Sequence, residues 1–574
     1  MKESNGVSTM PFRTRNIALL SILIVTATLW FGVDGIGLTG DDYQYLQSLA
    51  PIGNFGDVFR PFVSPDANPS FFRPIANLTL AFDFLLFGWN GGGYHLTNLF
   101  LHLMATLLVF FFVRNLFSLR ENEAVWATLA FGIAASHEMN IVWAAARADL
   151  LSAIFVMLAL IFVKKSRDEN SIMLSIGAWV SFAFALLSKE STVLALPLIG
   201  ILCWKSPDMR GLKIMAARFF PYLIIATLFY FYHQHFAVSI AASQPLTAEG
   251  SHSIFVFLRN AVYSLGYFVL PLDLSTATTF LTRYREAMGI ACGIIAMLGI
   301  WLLFSLRRTG IYRELAWPFV FTAFTGIVLA FTFERWRLYL PSAGLVAMLA
   351  IILRHTFSRA SHIVWISLLI PVGAFHVYRT LAAESDWQSG TKLLESLKQD
   401  LSGILAKIPE RPVRIGFLDV PAKLGGASVM QLGKNALLIR AEADRLSEFN
   451  RKTASTDGAN VDAWTAVDVY ALNSSEGFYG LEIKQIASDR YLVSVPVESD
   501  IALYPATLTS NVTARRDFAM HVGDSISESA SVDIVRSASF GIAKSIEVRV
   551  LDSSAVLMSF NGRSFENTRK NMAY

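Results

Sequence analysis

Two adjacent carboxylates, Asp41 and Asp42, follow the first apolar stretch of the chain and precede Tyr43 in the sequence TGDDYQYLQ. Burying an acid is costly unless a partner compensates its charge, and no basic residue adjoins this pair. A carboxylate in such a place can take a proton from a hydroxyl group during a transfer reaction. The pair is therefore a candidate catalytic base, with a solvated loop tip as the alternative.

Further ionisable residues lie at or near the ends of apolar stretches in widely separated parts of the sequence. The acids and histidines are His95, His137, Glu138, Asp149, Glu190 and Glu334, and the cations are Arg60, Arg73, Arg147, Lys189, Arg335 and Arg337. Ionisable groups at membrane depth are rare and usually functional. If all of them fall on one side of a membrane, the set suits an anionic substrate and an acid/base step.

The alternative reading is structural. Charges at the ends of membrane spans are often anchors or ion pairs, and Arg147 and Asp149 could simply pair with neighbours. His95 and His102 lie seven residues apart, on one face of a helix, and could be satisfied core histidines.

The composition is that of a membrane protein. The 574 residues are 54% hydrophobic and only 16% charged, and the mean hydropathy is +0.47. Soluble domains carry about 25% charged residues. The net charge of +4 is small, and no basic tract or zinc-finger spacing occurs, so we expect no nucleic-acid partner. Cys203 and Cys292 both lie in apolar stretches, which disfavours a structural disulfide.

Apolar stretches that could cross a bilayer, which takes about 17 to 25 residues, recur from the N-terminus to residue 378. They are 16–33, 94–117, 123–140, 148–163, 171–188, 190–204, 219–236, 253–271, 287–306, 315–333, 338–353 and 362–378. Basic residues precede the first stretch without an A-x-A cleavage site, so we expect an uncleaved span rather than a signal peptide.

The distribution of Lys and Arg orients these stretches, because cytoplasmic loops are rich in both residues. Alternation across the membrane works along the whole chain if one stretch, 253–271, does not cross. That stretch is predicted to be interfacial or re-entrant. The sequence then predicts a polytopic α-helical membrane protein of about eleven spans, with the N-terminus in the cytoplasm and the C-terminus outside.

The character of the sequence changes near residue 385. The segments PVRIGFLDV, NALLIRAEA, GLEIKQI and RYLVSVPV alternate in the manner of strands. We expect a transmembrane catalytic domain over 1–384, with a first outer loop at 34–93. Residues 385–574 are predicted to form a β-rich (α+β) extracytoplasmic domain that opens with a helix around 387–405. No internal repeat is evident.

Several motifs occur in a fixed order along residues 30–345. After the acid pair come FFRPIANLTLAFDFLLFGWNGGGYHLTNLFLHL, HEMNIVWAAARADLLSAIF, LSKES and ERWRLYLPSAG. This order resembles the GT-C superfamily of polytopic glycosyltransferases, and within it the O-mannosyltransferases with tetratricopeptide repeats and their bacterial relatives. The repeats are absent here, and Ala134, Ala135 and Ala146 replace family residues, with the family's acid shifted to Glu138.

The resemblance implies a membrane glycosyltransferase that takes a sugar, mannose in the related branch, from a polyprenyl-phosphate carrier on the extracytoplasmic side. Asp41 or Asp42, with Asp42 slightly favoured, would be the base of an inverting displacement. The cations Arg147, Lys189, Arg335, Arg337 and Arg73 would bind the donor phosphate. No cofactor is certain, but His137, Glu138 and Asp149 could hold a divalent metal. We expect a bacterial inner-membrane protein.

Two other functions remain open at this point. A transporter or flippase for a lipid-linked sugar would also collect charges in a bundle, although it should show repeat symmetry and charges near the membrane middle. A non-catalytic membrane scaffold would not need the acid pair. The acceptor, a protein or a glycan, is not indicated by the sequence.

Overall fold

A computed structural model describes residues 10–39, 42–49, 52–64, 71–204, 209–236, 254–272, 311–331, 334–357 and 362–406, together with separate strands between 414 and 567. Asp41, Cys292 and the predicted stretch 287–306 lie outside the described residues.

The described part of residues 10–406 consists of helices and the loops that connect them. The α-helices are α1 Phe12–Leu29, α2 Asp42–Leu49, α3 Pro74–Phe87, α4 Gly91–Phe117, α5 Glu121–Gly132, α6 Glu138–Val142, α7 Arg147–Glu169, α8 Ile172–Ser188, α9 Leu196–Cys203, α10 Met209–Phe236, α11 Ile254–Val269, α12 Ile311–Phe331, α13 Tyr339–Phe357 and α14 His362–Ala406. Short 3₁₀ segments join several of them: Phe31–Gly35, Phe55–Phe62, Ala135–His137, Ala144–Ala146, Glu190–Ala195 and Arg335–Leu338.

Within the described residues, five helical segments are long and apolar enough to cross a membrane. They are Phe12–Gly35, Gly91–Phe117, Ala144–Glu169, Gly211–Phe236 and Arg335–His355. Shorter apolar helices cover Pro74–Phe87, Ile172–Ser188 and Glu190–Cys203. These helices are those expected of an integral membrane protein, while the total of eleven spans stays a prediction.

Local sequence explains where the best-defined helices begin and end. The Asn90 side chain accepts a hydrogen bond from the Gly92 N–H at 3.2 Å and so caps α4. At its other end the chain leaves α4 through Ser118, which adopts the left-handed conformation. Asn170 ends α7 in the same way, and the Ser171 hydroxyl then caps α8.

The predicted span 123–140 is not one continuous helix. Helix α5 ends at Gly132, and the chain then passes through short helical pieces until α7 starts at Arg147. At Gly132 a Cβ would come within 2.6 Å of the Thr26 hydroxyl oxygen of α1, so the close approach of α1 requires a glycine here. The segment between α5 and α7 carries several of the predicted site residues.

The largest core cluster joins α4, α5, α7, α8 and α13. Its fully buried side chains include Phe110, Phe112, Leu150, Phe182 and Ala347. Because these side chains are large and apolar on faces that meet other helices, their packing fixes the bundle on which the site is built.

The stretch predicted over 362–378 and the helix predicted over 387–405 form a single helix, α14, of 45 residues. The predicted domain boundary at residue 385 lies inside this helix, and the division into two domains stays a prediction. The stretch predicted over 253–271 corresponds to α11, and its place relative to a membrane also stays a prediction.

Strands occur in the described part of the C-terminal region. They are β1 Arg414–Phe417, β2 Lys423–Leu424, β3 Ala427–Ser428, β4 Trp464–Leu472, β5 Glu482–Ala487, β6 Arg490–Ser494, β7 Ala502–Ala506, β8 Phe518–Val522, β9 Ser525–Ile526, β10 Ser545–Val550, β11 Val556–Phe560 and β12 Phe565–Asn567. Three of the four segments with strand-like alternation coincide with β1, β5 and β6, and the fourth, 435–443, lies outside the described residues.

These strands form two five-stranded sheets and a two-stranded pair. One sheet has the order β12-β11-β1-β4-β7, in which β1 runs parallel to both β11 and β4. The other has the order β5-β6-β10-β8-β9 and is antiparallel. A β-rich, extracytoplasmic C-terminal domain stays a prediction.

Candidate functional site

Five of the predicted site residues line one cavity. Arg73, Asp149, Lys189, Glu190 and Arg337 surround a space of about 230 Å³. Arg73 immediately precedes α3, Asp149 lies in the first turn of α7, Lys189 and Glu190 join α8 to α9, and Arg337 precedes α13. Residues from distant parts of the chain therefore meet at one end of the helical bundle.

Two ion pairs arrange the charges on the cavity wall. The Lys189 Nζ lies 2.5 Å from Asp149 Oδ1. Arg73 donates two hydrogen bonds to Glu190, of 2.9 Å from Nε and 2.6 Å from Nη2, in the bidentate geometry that guanidinium and carboxylate groups favour. Each acid thus holds a cation at the edge of the cavity, where an incoming anion could become its additional partner.

The environment of Lys189 favours loss of its proton. Burial lowers the pKa of this ammonium group below its ordinary value, even though the facing Asp149 carboxylate favours the charged form. A negatively charged ligand in the cavity would add to the stabilisation of the ammonium ion.

A third cation, Arg337, enters the cavity beside two tryptophans. Trp336 and Trp143 both line the cavity, and their ring centroids lie 4.8 Å apart in an edge-to-face contact. The backbone of both tryptophans is fixed by buried amides: Asn140 donates to the Trp336 carbonyl at 3.1 Å, and Asn98 donates to the Trp143 carbonyl at 3.0 Å. These bonds place the 3₁₀ segment that carries Arg337 against the segment before α7.

Asp42 lies behind this wall. It is 1% exposed, and its two oxygens accept hydrogen bonds from the backbone N–H groups of Thr39 at 3.2 Å and Ala145 at 2.9 Å. Ala145 itself lines the cavity, and so does Tyr45 from the helix that Asp42 begins. Asp42 therefore joins the acid-pair region to the cavity wall.

Arg147 is turned away from the cavity. Its side chain is fully buried, with Nη1 2.6 Å from Asp83 Oδ2, and it donates to Asn98 Oδ1 at 2.7 Å and to the Tyr94 carbonyl at 2.9 Å. The structure thus gives this predicted phosphate ligand a set of protein partners on α3 and α4. Its proposed contact with a donor phosphate stays untested.

Arg335, Glu138 and Glu334 lie next to the cavity rather than among the residues that line it. Arg335 donates to Glu138 Oε1 at 2.6 Å, and the Tyr267 hydroxyl donates to the same oxygen at 3.3 Å. Glu334 is half-buried, and its carbonyl accepts the Arg337 N–H at 3.0 Å, which closes the turn that presents Arg337. Arg60 is exposed in the segment Phe55–Phe62 and is not a lining residue.

His95, His102 and His137 are fully buried in the helical bundle. His95 Nε2 lies 3.2 Å from the Gly37 carbonyl, four residues before the acid pair. His137 Nε2 bonds Ser342 at 2.9 Å, and His102 Nδ1 bonds the Tyr339 hydroxyl at 2.8 Å. These contacts agree with the structural alternative for His102, whereas His95 contacts the segment that leads to the acid pair.

The proposed metal ligands do not meet. His137 bonds Ser342, Glu138 pairs with Arg335, and Asp149 pairs with Lys189. Among the described residues no group of three or more His, Cys, Asp or Glu side chains is placed to hold a metal ion. These three residues therefore do not fit a shared metal site, and a divalent metal enters no step of the proposal below.

The sequence analysis missed several residues that build the site. Asp83, the partner of Arg147, is a single acid in the apolar sequence LAFDFLLF, where the pattern gives no sign of a distant cation. Asn98 holds both Arg147 and the Trp143 carbonyl. A buried acid or amide inside an apolar helix is itself a signal, because such a group requires a partner.

Comparison with known proteins finds partial relatives among protein O-mannosyl-transferases. Tmtc1 of Drosophila melanogaster is 32% identical over 153 residues, which are 26% of this chain and 17% of that protein. Human TMTC3 is 31% identical over 195 residues, 32% of this chain and 21% of that protein. The chain therefore spans about a fifth of the length of these curated relatives. No protein-family model matches the chain.

A solved structure with partial similarity is that of ArnT from Cupriavidus metallidurans bound to undecaprenyl phosphate. It is 13% identical, has a TM-score of 0.38, and covers 80% of this chain and 93% of ArnT. A likeness at this level gives no information on the function of this chain. The curated relatives confirm the resemblance to membrane O-mannosyltransferases that the ordered motifs predicted.

Proposed function

We propose that this chain is a membrane glycosyltransferase that moves a sugar from a polyprenyl-phosphate carrier to an acceptor hydroxyl on the extracytoplasmic side. Mannose is the proposed sugar. The observation that carries the proposal is the cavity in which Arg73, Lys189 and Arg337 meet two carboxylates and adjoin Asp42. Three cations against two carboxylates leave an excess of positive charge at the cavity wall. Such a wall suits a lipid-borne phosphate, which carries negative charge at the membrane surface.

The proposed reaction is a single displacement at the anomeric carbon. The acceptor oxygen forms a bond to this carbon while the bond from the carbon to the phosphate oxygen breaks, which inverts the configuration. The hydroxyl proton passes to an aspartate carboxylate, and the electron pair of the broken bond stays on the polyprenyl phosphate. The departing phosphate thereby gains one negative charge, and the aspartate loses one.

The cations of the cavity would stabilise the charge that develops on the phosphate. Arg73 makes a bidentate contact with Glu190, and Lys189 pairs with Asp149. Both cations are therefore in position before the substrate binds. Preformed donors of this kind need no reorganisation when the charge develops. Arg337, on the segment that also carries Trp336, would complete the phosphate site.

The two acids divide their roles in this proposal. Both oxygens of Asp42 accept backbone N–H bonds, and a residue that is 1% exposed leaves no room for an acceptor hydroxyl. We therefore assign Asp42 to positioning, by joining the acid-pair region to Ala145 in the cavity wall. This leaves the role of the base to Asp41, in contrast to the slight preference for Asp42 drawn from the sequence.

A transfer assay on the purified full-length chain tests the proposal. The donor is polyprenyl-phosphate mannose labelled with tritium in the sugar, and the readout is label that moves from the lipid phase to a Ser/Thr-rich peptide or to membrane glycans. We expect Asp41→Asn to abolish transfer while polyprenyl-phosphate binding is kept. Asp168→Asn is the matched control, because Asp168 is half-exposed and lies near the opposite end of α7 from Asp149.

Three results would overturn the proposal. Label that crosses the membrane of a reconstituted vesicle while it stays attached to its lipid would indicate a flippase. An Asp41→Asn variant with undiminished transfer would remove the acid pair from the chemistry. A wild-type chain that transfers no sugar from a panel of polyprenyl-phosphate donors would favour a scaffold.

A further inference from the structure

The segment 32–39, which leads directly to the acid pair, is held between two helices. On one side lies the first turn of α4, with its consecutive glycines at residues 91–93. On the other side lies the middle of α14, where Trp387 is fully buried in a cluster with Trp30, Val33 and Ile36. Neither helix is adjacent to the segment in sequence.

The backbone N–H and the carbonyl of Gly37 both have hydrogen-bond partners, one from each helix. Its N–H donates to the Thr391 hydroxyl of α14 at 2.8 Å, and its carbonyl lies 3.2 Å from His95 Nε2 of α4. The Thr391 hydroxyl also donates to the Trp387 carbonyl at 2.9 Å, so this hydroxyl both donates and accepts. A second bond from α14, between Gln388 Nε2 and the Gly32 carbonyl, measures 3.0 Å.

Glycines allow this close approach. A Cβ on Gly37 would come within 2.7 Å of the Thr391 methyl carbon, and a Cβ on Gly91 would come within 2.5 Å of the Leu38 nitrogen. Side chains at these positions would push the segment away from both helices. The glycines of WNGGGY thus let the backbone of α4 approach the backbone of segment 32–39, and Gly37 makes room for the Thr391 side chain of α14.

The same helix α14 reaches two other parts of the molecule. His376, farther back along α14, accepts the Ala135 N–H at 3.1 Å and so contacts the segment between α5 and α7. Helix α14 also contacts strands β2, β3 and β12. One helix of 45 residues therefore contacts both the strands β2, β3 and β12 and the segment that leads to the acid pair.

We infer that Thr391 is a positioning residue for the transfer reaction, and that through it α14 couples the C-terminal region to the acid pair. The connection from Thr391 to Asp42 is short. Thr39 lies two residues after Gly37, and its backbone N–H donates to Asp42. A shift of segment 32–39 would move Asp42 relative to the cavity. This inference rests on the proposed function for its kinetic consequence, but not for the structural hold itself.

Hydrogen exchange on the detergent-solubilised full-length chain tests the hold directly. Thr391→Val removes the hydroxyl and leaves the Gly37 N–H without its acceptor, while the side chain keeps nearly the same shape. We expect faster exchange confined to peptides that cover residues 30–40, with an unchanged melting temperature. Thr391→Ser should restore wild-type exchange. Ser389→Ala is the matched control, because Ser389 is exposed on the same helix.

Kinetics with polyprenyl-phosphate mannose test the consequence. Because Thr391 does not line the cavity, we expect Thr391→Val to lower kcat about tenfold or more and to leave the donor KM unchanged. Thr391→Ser should recover most of the rate. A purely structural role would instead lower the amount of folded protein without separating kcat from KM.

The outcomes separate this inference from the proposed function. If hydrogen exchange in Thr391→Val equals that of wild type, Thr391 does not fix segment 32–39. If exchange changes but kcat does not, Thr391 is not a positioning residue for the reaction. If the wild-type chain transfers no sugar from any polyprenyl-phosphate donor, the proposed function fails. The exchange comparison still decides in that case whether Thr391 holds segment 32–39.

Discussion

Single side chains divide into those that face the cavity and those sealed behind its wall. Arg73, Lys189 and Arg337 belong to the first group. Arg147 belongs to the second, although the sequence places it only two residues from Asp149. Helical geometry explains the difference, because residues two apart on a helix point in different directions. Position in the sequence therefore predicted the neighbourhood of Arg147 but not its partners.

Asp83 and Arg147 form a buried pair whose loss we expect to be destabilising. Both side chains are almost completely buried, and their atoms approach to 2.6 Å. Asp83→Asn leaves the guanidinium without its counter-ion, and removal of one partner from a buried pair costs about 3–5 kcal/mol. We expect a clearly lower melting temperature in detergent. The control is Asp168→Asn, at an exposed acid near the C-terminal end of α7. Equal melting temperatures for Asp83→Asn and wild type would contradict the assignment.

Lys189 should make donor binding sensitive to alkaline pH. Its pKa is lowered by burial, so its ammonium group loses the proton at a lower pH than an ordinary lysine would. We expect kcat/KM for the donor to fall on the alkaline side as Lys189 becomes neutral. Lys189→Arg, which stays protonated, should extend activity to higher pH. A pH profile identical in wild type and Lys189→Arg would show that Lys189 does not carry the phosphate charge.

Among the elements, long apolar helices were predicted best. Helix α4 was predicted over 94–117 and runs from Gly91 to Phe117, and α8 was predicted over 171–188 and runs from Ile172 to Ser188. Hydrophobicity and capping residues determine such helices locally. The break after Gly132 was not predicted. Gly132 packs closely against Thr26 and Thr106, which are distant in sequence, so this environment cannot be read from the local pattern.

The sequence predicted which residues line the site better than it predicted the contacts between them. Ordered motifs indicated Arg73, Asp149, Lys189, Glu190 and Arg337, and the structure brings these five residues to one cavity. The roles of Asp83 and Thr391 were not predictable, because each depends on one partner in a different helix. A polar residue in an apolar helix announces that it needs a partner, but the sequence does not say which one.

The first turn of α4 should tolerate no side chain at Gly92. A Cβ there would collide with the Asp34 carbonyl oxygen in segment 32–39. We expect Gly92→Ala to displace this segment, which would lower transfer and increase hydrogen exchange in peptides covering 30–40. Gly200→Ala in α9 is the control, because its Cβ would meet the Phe219 ring at an ordinary 3.6 Å. Unchanged exchange in Gly92→Ala would contradict the packing described here.

Across the whole molecule, charges collect at both ends of the bundle, with different arrangements. The cavity occupies the end at which α4 begins. At the other end, Glu121 pairs with Arg15 at 3.2 Å, and Glu123 pairs with Arg354 at 3.3 Å. Both acids are buried, so ion pairs with buried carboxylates connect the helices at this end. Arg15 and Arg354, which belong to the basic clusters predicted to be cytoplasmic, thus also connect α1, α5 and α13.

The orientation in the membrane remains a prediction that labelling can test. Ser48 is exposed in α2 near the cavity end, and Ser118 is exposed just after α4. With Cys203 and Cys292 replaced by serine, Ser48→Cys should react with an impermeant maleimide applied to the extracytoplasmic side of the intact membrane. A cysteine at position 118 should react only after lysis. The reverse pattern, or equal labelling of both, would exclude an extracytoplasmic cavity.

The most direct measurement is a structure of the full-length chain with polyprenyl phosphate bound. We expect the phosphate group in the cavity, within hydrogen-bond distance of Lys189, Arg73 or Arg337, with the hydrocarbon chain leaving toward the membrane. Arg337→Ala should remove or weaken this density, and Arg313→Ala, at an exposed arginine of α12, should leave it unchanged. A phosphate bound at the end of the bundle that carries Glu121 and Glu123, or an empty cavity at saturating lipid, would contradict the central claim.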